Sequence, residues 1–296
     1  MRSPAPSLIV PGHPRYGDLT RLGQEVERHL GGRAEAATWF PGMLRKVVDD
    51  VIDTVNTRRR SYGQLEKTEK TYLGTRVEIL MRAKMQVPKG RLDFIIGGED
   101  VDMKFTITGS WMIPQEAVGH ACLLAALDEQ HSRCFLGIFY ADMANLTGGA
   151  NRDGKRSVSA FGSTQILWLL RDHPVEQNFW RTISSNLVDS IFAARTGNDK
   201  LVELFRGVTD RVISRRIVEE AAAQKDYMRR IRADGPRGSR NRLAAEGILL
   251  LSGTYDAALI HALGLPFCGP SDFISHKVTQ QEESICAAHG WQISAH

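Results

Sequence analysis

Between Leu92 and Thr108 the apolar residues stop recurring every three or four positions and begin to alternate, and the two halves of that stretch meet at Gly97-Gly98. A glycine pair suits a two-residue hairpin turn, because both central residues then need positive φ. The reading is a strand over 92–96, the turn, and a strand over 99–108 with Val101, Met103, Phe105 and Ile107 on one face. Such a turn also sets the register. If Ile96 faces Glu99, then Asp93 faces Asp102, and Lys104 lies two residues further along the same face of the same strand. Two carboxylates opposed across a hairpin repel, at a cost of a few tenths to about 1 kcal/mol, and Lys104 is placed to offset that. Oxygen ligands on rigid strands also suit Mg²⁺, which takes one or two carboxylates and keeps waters or phosphate oxygens around itself. A lysine beside them can orient or deprotonate water, or stabilise charge developing on an attacked phosphate. Glu78, in the preceding helical stretch, is a candidate third carboxylate. The competing reading is the solvent face of an ordinary amphipathic hairpin.

Around this hairpin the pattern alternates between helix and strand. Leu44, Val47, Val48, Val51, Ile52 and Val55 recur at helical spacing, with Pro41 suited to a first turn. A second helix is expected over 68–85, burying Val77, Leu80 and Met81. Pro114 is read as opening a helix through Leu127, Arg133–Tyr140 as a buried strand, and 145–157 as a Gly-rich basic loop. Residues 1–35 show little periodicity and read as an arm of uncertain structure. The chain has 296 residues, 42% of them apolar and 24% charged, which excludes wholesale disorder and leaves room for two domains. The expected boundaries are an α/β domain over 1–170, a linker over 171–178 and a second domain over 179–296. No apolar run is long enough for a membrane helix, and Met1–Ser7 lacks the apolar core of a secretory signal, so the expectation is a cytoplasmic protein. The four cysteines show no Cys-x-x-Cys spacing, which argues against a zinc site or a disulfide framework.

The net charge is only +4, but residues 200–242 carry 12 basic and 6 acidic side chains. An arginine-rich patch of this kind suits phosphate recognition; a solvated helix face is the alternative. Three short helices are expected there. Leu201, Val202, Leu204, Phe205, Val208, Val212 and Ile213 mark one; Ile217, Val218, Ala221 and Ala222 a second; Tyr227, Met228 and Ile231 a third. A basic turn over 235–242 and a strand over 248–251 follow, the pattern of a winged helix-turn-helix.

The combination Glu78, Asp93 and Asp102-Met103-Lys104 resembles the active site of the PD-(D/E)xK nuclease superfamily. More narrowly, the run from Gln64 to Thr75 followed by Val77-Glu78-Ile79 resembles the NaeI-type (type IIE) restriction endonucleases. So do Val101–Phe105, Trp111–Pro114, Val118-Gly119-His120, Ala150–Asp153, Asp226–Arg232 and Leu263–Pro266, all in one order. The resemblance implies a homodimeric, Mg²⁺-dependent enzyme that hydrolyses double-stranded DNA at a short palindrome, GCCGGC if specificity is shared, leaving 5′-phosphate and 3′-hydroxyl ends. It implies a restriction-endonuclease-like mixed sheet flanked by helices, and a mainly helical winged helix-turn-helix domain binding a second DNA copy as effector. Glu78, Asp93 and Asp102 would be metal ligands and Lys104 the catalytic lysine. Leu92 stands where the superfamily often has a proline before the first acid. The genetic partner of such an enzyme is a DNA methyltransferase.

For DNA contacts the candidates are Lys67, Lys70, Arg152, Lys155, Arg156, Arg215, Arg216, Arg229, Arg230, Arg232, Arg237, Arg240 and Arg242. The run from Gly149 to Lys155 satisfies Gly-x₄-Gly-Lys, but Arg156 stands where a nucleotide-binding loop needs Ser or Thr for Mg²⁺. A DNA-contacting loop is the better reading. His120, in an apolar helical run, reads as a packed or hydrogen-bonded core histidine rather than a base, and Trp111 as core rather than a stacking platform. The rival functions are a catalytically idle DNA-binding regulator, a nucleotide-driven enzyme using the 149–155 loop, and a methylation-dependent or repair nuclease on the same scaffold.

Overall fold

The computed structural model describes residues 4–222 and 238–294. It divides into two compact units, one of residues 1–54 and 59–178, the other of residues 55–58 and 179–296.

The first unit is built on helices α1 (Tyr16–His29), α2 (Arg33–Ile52) and α4 (Lys67–Met85), with the short α3 (Thr54–Thr57) at the crossing between units. Strands β1 (Phe94–Ile96), β2 (Glu99–Thr106), β4 (Ala121–Asp128), β5 (Arg133–Tyr140) and β7 (Leu167–Pro174) form a sheet of order β1-β2-β4-β5-β7. Only β2 and β4 run parallel in it; β1–β2, β4–β5 and β5–β7 are antiparallel. A small ladder of β3 (Met112–Ile113) with β6 (Arg156–Ser157), and helix α5 (Ala160–Thr164), complete the unit.

Alternation along the strands divides the core in two. Val101, Met103, Leu123 and Ala125 cluster with Leu22, Leu44, Val77 and Met81 from the helices. Cys122, Leu124 and Ala126 face the other way, towards Trp111, Ile113, Leu146 and Ile166. The sheet is thus apolar on both faces except near the hairpin, where polar side chains replace the second layer.

Several expectations change. Residues 4–35 are not an arm: α1 packs on β5 and β7 through Leu19, Leu22 and Val26, all buried. Helix α2 starts at Arg33, so Pro41 lies inside it and not in its first turn. The expected helix over 114–127 is a single tight turn at Gln115–Ala117, after which Gly119, at φ 82°, leads into β4. Every residue of β4 is buried. A central strand covered on both faces loses the alternation that distinguishes it from a buried helix, and tertiary pairing overrides the helix propensity of Ala and Leu. Residues 171–174, expected as linker, form the end of β7.

The second unit contains α6 (Phe179–Thr182), α7 (Ser185–Ala193), α8 (Gly197–Gly207), β8 (Val212–Ile213), α9 (Arg215–Ala222), α10 (Ser239–Ala244), β9 (Ile248–Ser252), α11 (Ala257–Ala262), β10 (Phe273–Lys277) and α12 (Glu283–Ala288). Its sheet has the order β8-β10-β9, antiparallel throughout. Val212 and Ile213 therefore belong to a strand and not to the α8 helix. The expected helix around Tyr227, Met228 and Ile231 lies outside the described residues.

Candidate active site

The hairpin turn has the expected geometry, with Gly97 at φ 58° and Gly98 at φ 82°. The ladder pairs Ile96 with Glu99, Ile95 with Asp100 and Phe94 with Val101. Continuing that register by one residue sets Asp93 against Asp102, and the Asp93 Oδ2 accepts a hydrogen bond from the Met103 amide at 2.8 Å. Lys104 projects from the same face of β2. Its ammonium donates to Asp102 Oδ1 at 2.7 Å and to the Met103 carbonyl at 3.0 Å, and lies 4.0 Å from Asp93 Oδ2. A cation therefore sits within an arc of oxygens from two facing strands, and the repulsion between the acids is offset locally.

Asp102 is only 4% exposed. Burial raises its acid to about 6, against the lowering effect of Lys104 and with a further rise from Asp93. Its Oδ2 is 2.6 Å from the Lys104 ammonium, so both oxygens of this buried carboxylate face one cation. A buried carboxylate needs such a positive partner, and a hard divalent ion can fill that role. The donor set of Asp93, Asp102 and the Met103 carbonyl is all oxygen, as Mg²⁺ requires. These residues fit that ion, with waters completing its shell.

Glu78 is not brought into this group. Its helix α4 packs with Leu73, Val77 and Met81 in the core layer on the opposite side of the sheet from Cys122, the register partner of Asp102. Glu78 pairs with Arg82 at 3.0 Å. Among the described residues no three His, Cys, Asp or Glu side chains lie close enough together to hold a metal ion.

A contact beside the hairpin joins Arg91, which the sequence did not single out, to His120, which it did. The loop over 88–92 is held to the hairpin: Ile95 N donates to the Pro88 carbonyl at 2.9 Å, and Leu92 N to Asp100 Oδ1 at 3.3 Å. It presents Arg91, whose Nη2 is 2.6 Å from Nε2 of His120. His120 is half-buried in the turn before β4, not packed within a helical run. No sequence spacing signals this pair.

The other candidates fall out as follows. Lys67 is exposed at the start of α4, and Lys70 lies over the Tyr62 ring. Arg152 and Lys155 are exposed, whereas Arg156 donates to the carbonyls of Thr147 and Gly148. The 149–155 loop folds on Asn151, whose Oδ1 accepts from the amides of Asp153 and Lys155, and β6 follows instead of a helix. Those amides are thus unavailable to cradle a nucleotide phosphate. Trp111 is buried and donates to the Ala125 carbonyl at 2.9 Å. In the second unit, Arg215 pairs with Glu219, Arg216 with Glu220, Arg240 with Asp256 and Arg242 with Asp199, so these arginines are engaged within their own unit. Arg229, Arg230, Arg232 and Arg237 lie outside the described residues.

The sequence profile of the family described as restriction endonuclease NaeI matches residues 25–289. The Type II restriction enzyme NaeI of Lentzea aerocolonigenes is 34% identical over 252 residues, covering 82% of this chain and 78% of that protein. The five-stranded mixed sheet flanked by helices is compatible with a restriction endonuclease fold. No helix among the described residues is long and apolar enough to cross a membrane. A match spanning both units and including the strand that carries Asp102 and Lys104 places the chain in the NaeI restriction endonuclease family, a family of type II site-specific deoxyribonucleases.

Proposed function

We propose that this chain is a Mg²⁺-dependent type II restriction endonuclease that hydrolyses double-stranded DNA at a palindromic site, using the face of the β1–β2 hairpin. The carrying observation is the meeting of Asp93, Asp102 and Lys104 on one face, with Asp102 buried and both its oxygens against the Lys104 ammonium. Mg²⁺, when bound, would polarise the phosphate and lower the pKa of a water. Asp93 and Asp102 would hold it. Lys104, beside Asp102, directs its ammonium to the attacking water or to the phosphate oxygens. Glu78, paired with Arg82, acts outside direct coordination.

A palindromic target follows from a two-fold homodimer in which each subunit cuts one strand. In the second unit, α8, β8, α9, then β9 and β10 in a sheet of order β8-β10-β9 support a winged helix-turn-helix that takes a second DNA copy as effector. Arg152 and Lys155 on their exposed loop, and Lys67 at the start of α4, serve as phosphate contacts. A methyltransferase protecting the same site is the genetic partner, and the cytoplasm the compartment.

The test incubates wild type and Asp102→Ala with plasmid DNA in Mg²⁺ or EDTA and sequences the fragment ends. Discrete Mg²⁺-dependent fragments that vanish in the variant support the reading and identify the site. Intact plasmid in every lane, with DNA binding retained, overturns it in favour of a DNA-binding regulator.

A further inference from the structure

Arg91 and His120 meet at the turn end of the hairpin, by Asp100, two residues along β2 from Asp102. Partners across the parallel β2–β4 ladder share a face, and Asp102 pairs with Cys122. His120 precedes Cys122 by two residues. Its amide closes the turn on the Ala117 carbonyl at 3.1 Å, and Ala141 N donates to the His120 carbonyl at 2.9 Å while Gly119 N donates to the Ala141 carbonyl at 3.0 Å. Carried one step back, the ladder sets His120 level with Asp100, two residues before Asp102 on β2. Arg91 comes to His120 from the 88–92 loop, which folds back on the hairpin through Leu92 N donating to Asp100 Oδ1 and Ile95 N donating to the Pro88 carbonyl.

The pair has an unusual composition. Two nitrogen groups meet at 2.6 Å. Guanidinium only donates, so His120 accepts through Nε2 and carries its proton on Nδ1. Arg91 is exposed and pairs with no carboxylate among the described residues. The nearby Asp100 is engaged by the Leu92 amide. The loop is also held by packing: a Cβ on Gly90 would overlap Asp100 Oδ1 and lie 2.5 Å from Ile95 Cδ1. A rigid loop thus presents a guanidinium whose remaining donors have no acidic partner, oriented by a histidine, next to a phosphate-cutting centre. A guanidinium fork recognises phosphate oxygens through paired charge-assisted hydrogen bonds.

We propose that Arg91 binds the DNA backbone phosphate adjacent to the one cut, and that His120 is a positioning residue that orients its guanidinium. The inference rests on Asp93, Asp102 and Lys104 being the catalytic centre.

The experiment uses the full chain and short duplexes carrying its cleavage site, each with one phosphate replaced by an uncharged methylphosphonate. In wild type, neutralising the phosphate beside the cut weakens binding in EDTA and raises KM in Mg²⁺. Arg91→Ala weakens binding of the unmodified duplex roughly 10- to 100-fold, the range of a charged hydrogen bond, and lowers the salt slope by about 1. It abolishes the extra penalty at that single phosphate and changes KM more than kcat. Arg91→Lys restores the salt slope but not the full affinity. His120→Gln, which keeps an acceptor, stays closer to wild type than His120→Ala. An unchanged methylphosphonate profile and salt slope in Arg91→Ala overturns the proposal, even where Asp102→Ala abolishes cleavage. Cleavage that survives in Asp102→Ala overturns the catalytic reading instead.

Discussion

Replacing Asp102 by Asn separates what the site does for catalysis from what it does to the fold. Asp102 is ionised at neutral pH at the expense of stability, because burial raises its acid from 3.8 to about 6 despite the Lys104 ammonium. At about 1.36 kcal/mol per tenfold change in proton affinity, ionised Asp102 costs the folded state about 3 kcal/mol, an upper figure because Lys104 also loses its carboxylate in the variant. The pH dependence follows from linkage. Below pH 3.8 the acid is protonated in both folded and unfolded chains and contributes nothing. Between about 4 and 6 the folded state holds the proton more tightly, so stability falls as pH rises; above 6 the full penalty applies. Asn is neutral at every pH and keeps an oxygen for Lys104. In EDTA the variant is therefore more stable than wild type at pH 7.5, by about 1–3 kcal/mol, and the gap narrows to about a third of that at pH 4.5. Hydrogen exchange of peptides from β2 and β4, compared between the two proteins at each pH, reads this locally without assuming that both units unfold together. Added Mg²⁺ protects wild type alone, and cleavage is lost in the variant. A variant less stable than wild type at pH 7.5 in EDTA, or a gap that stays constant between pH 4.5 and 7.5, refutes the reasoning.

Lys104→Met lowers kcat by about 10²–10⁴, the range for loss of a positioned proton-transfer group, while DNA binding in a gel-shift assay is retained. Gly90→Ala forces a Cβ against Asp100 and Ile95; it destabilises the first unit by about 1–3 kcal/mol, measured by urea denaturation, and weakens DNA binding because Arg91 moves with the loop. In the second unit, buried His276 bonds Asp210 at 2.6 Å and Glu282 at 3.0 Å. Burial works against its charged form, but those carboxylates outweigh it and raise its pKa above 6.5. Its stabilising contribution is thus full below pH 6.5 and is lost as pH rises through the folded value, so exchange protection at β10 falls as pH rises above 6.5 in wild type and stays flat in His276→Gln.

Some of this molecule is local arithmetic. Gly97-Gly98 permits one kind of turn, the turn sets the register, and the register sets Asp93 against Asp102 with Lys104 alongside. Those relations need only the alternation of a strand and no knowledge of the rest of the chain. Helix α4 and strand β5 were legible for the same reason, since their apolar spacing or their run length matches one element. Strand β4 was not, because a segment buried on both faces carries no periodicity and its Ala and Leu residues favour helix when read alone. Helix α1 has its apolar stripe at Leu19, Leu22 and Val26, a short signal next to the Gly- and Pro-containing start of the chain. Whether Glu78 joins the acids, and that Arg91 finds His120 across 29 residues, is decided by which face of the sheet each element covers. Spacing along the chain determines which residues share a strand face; only the packing of layers determines which distant side chains meet there, because that depends on the burial of every other residue at once.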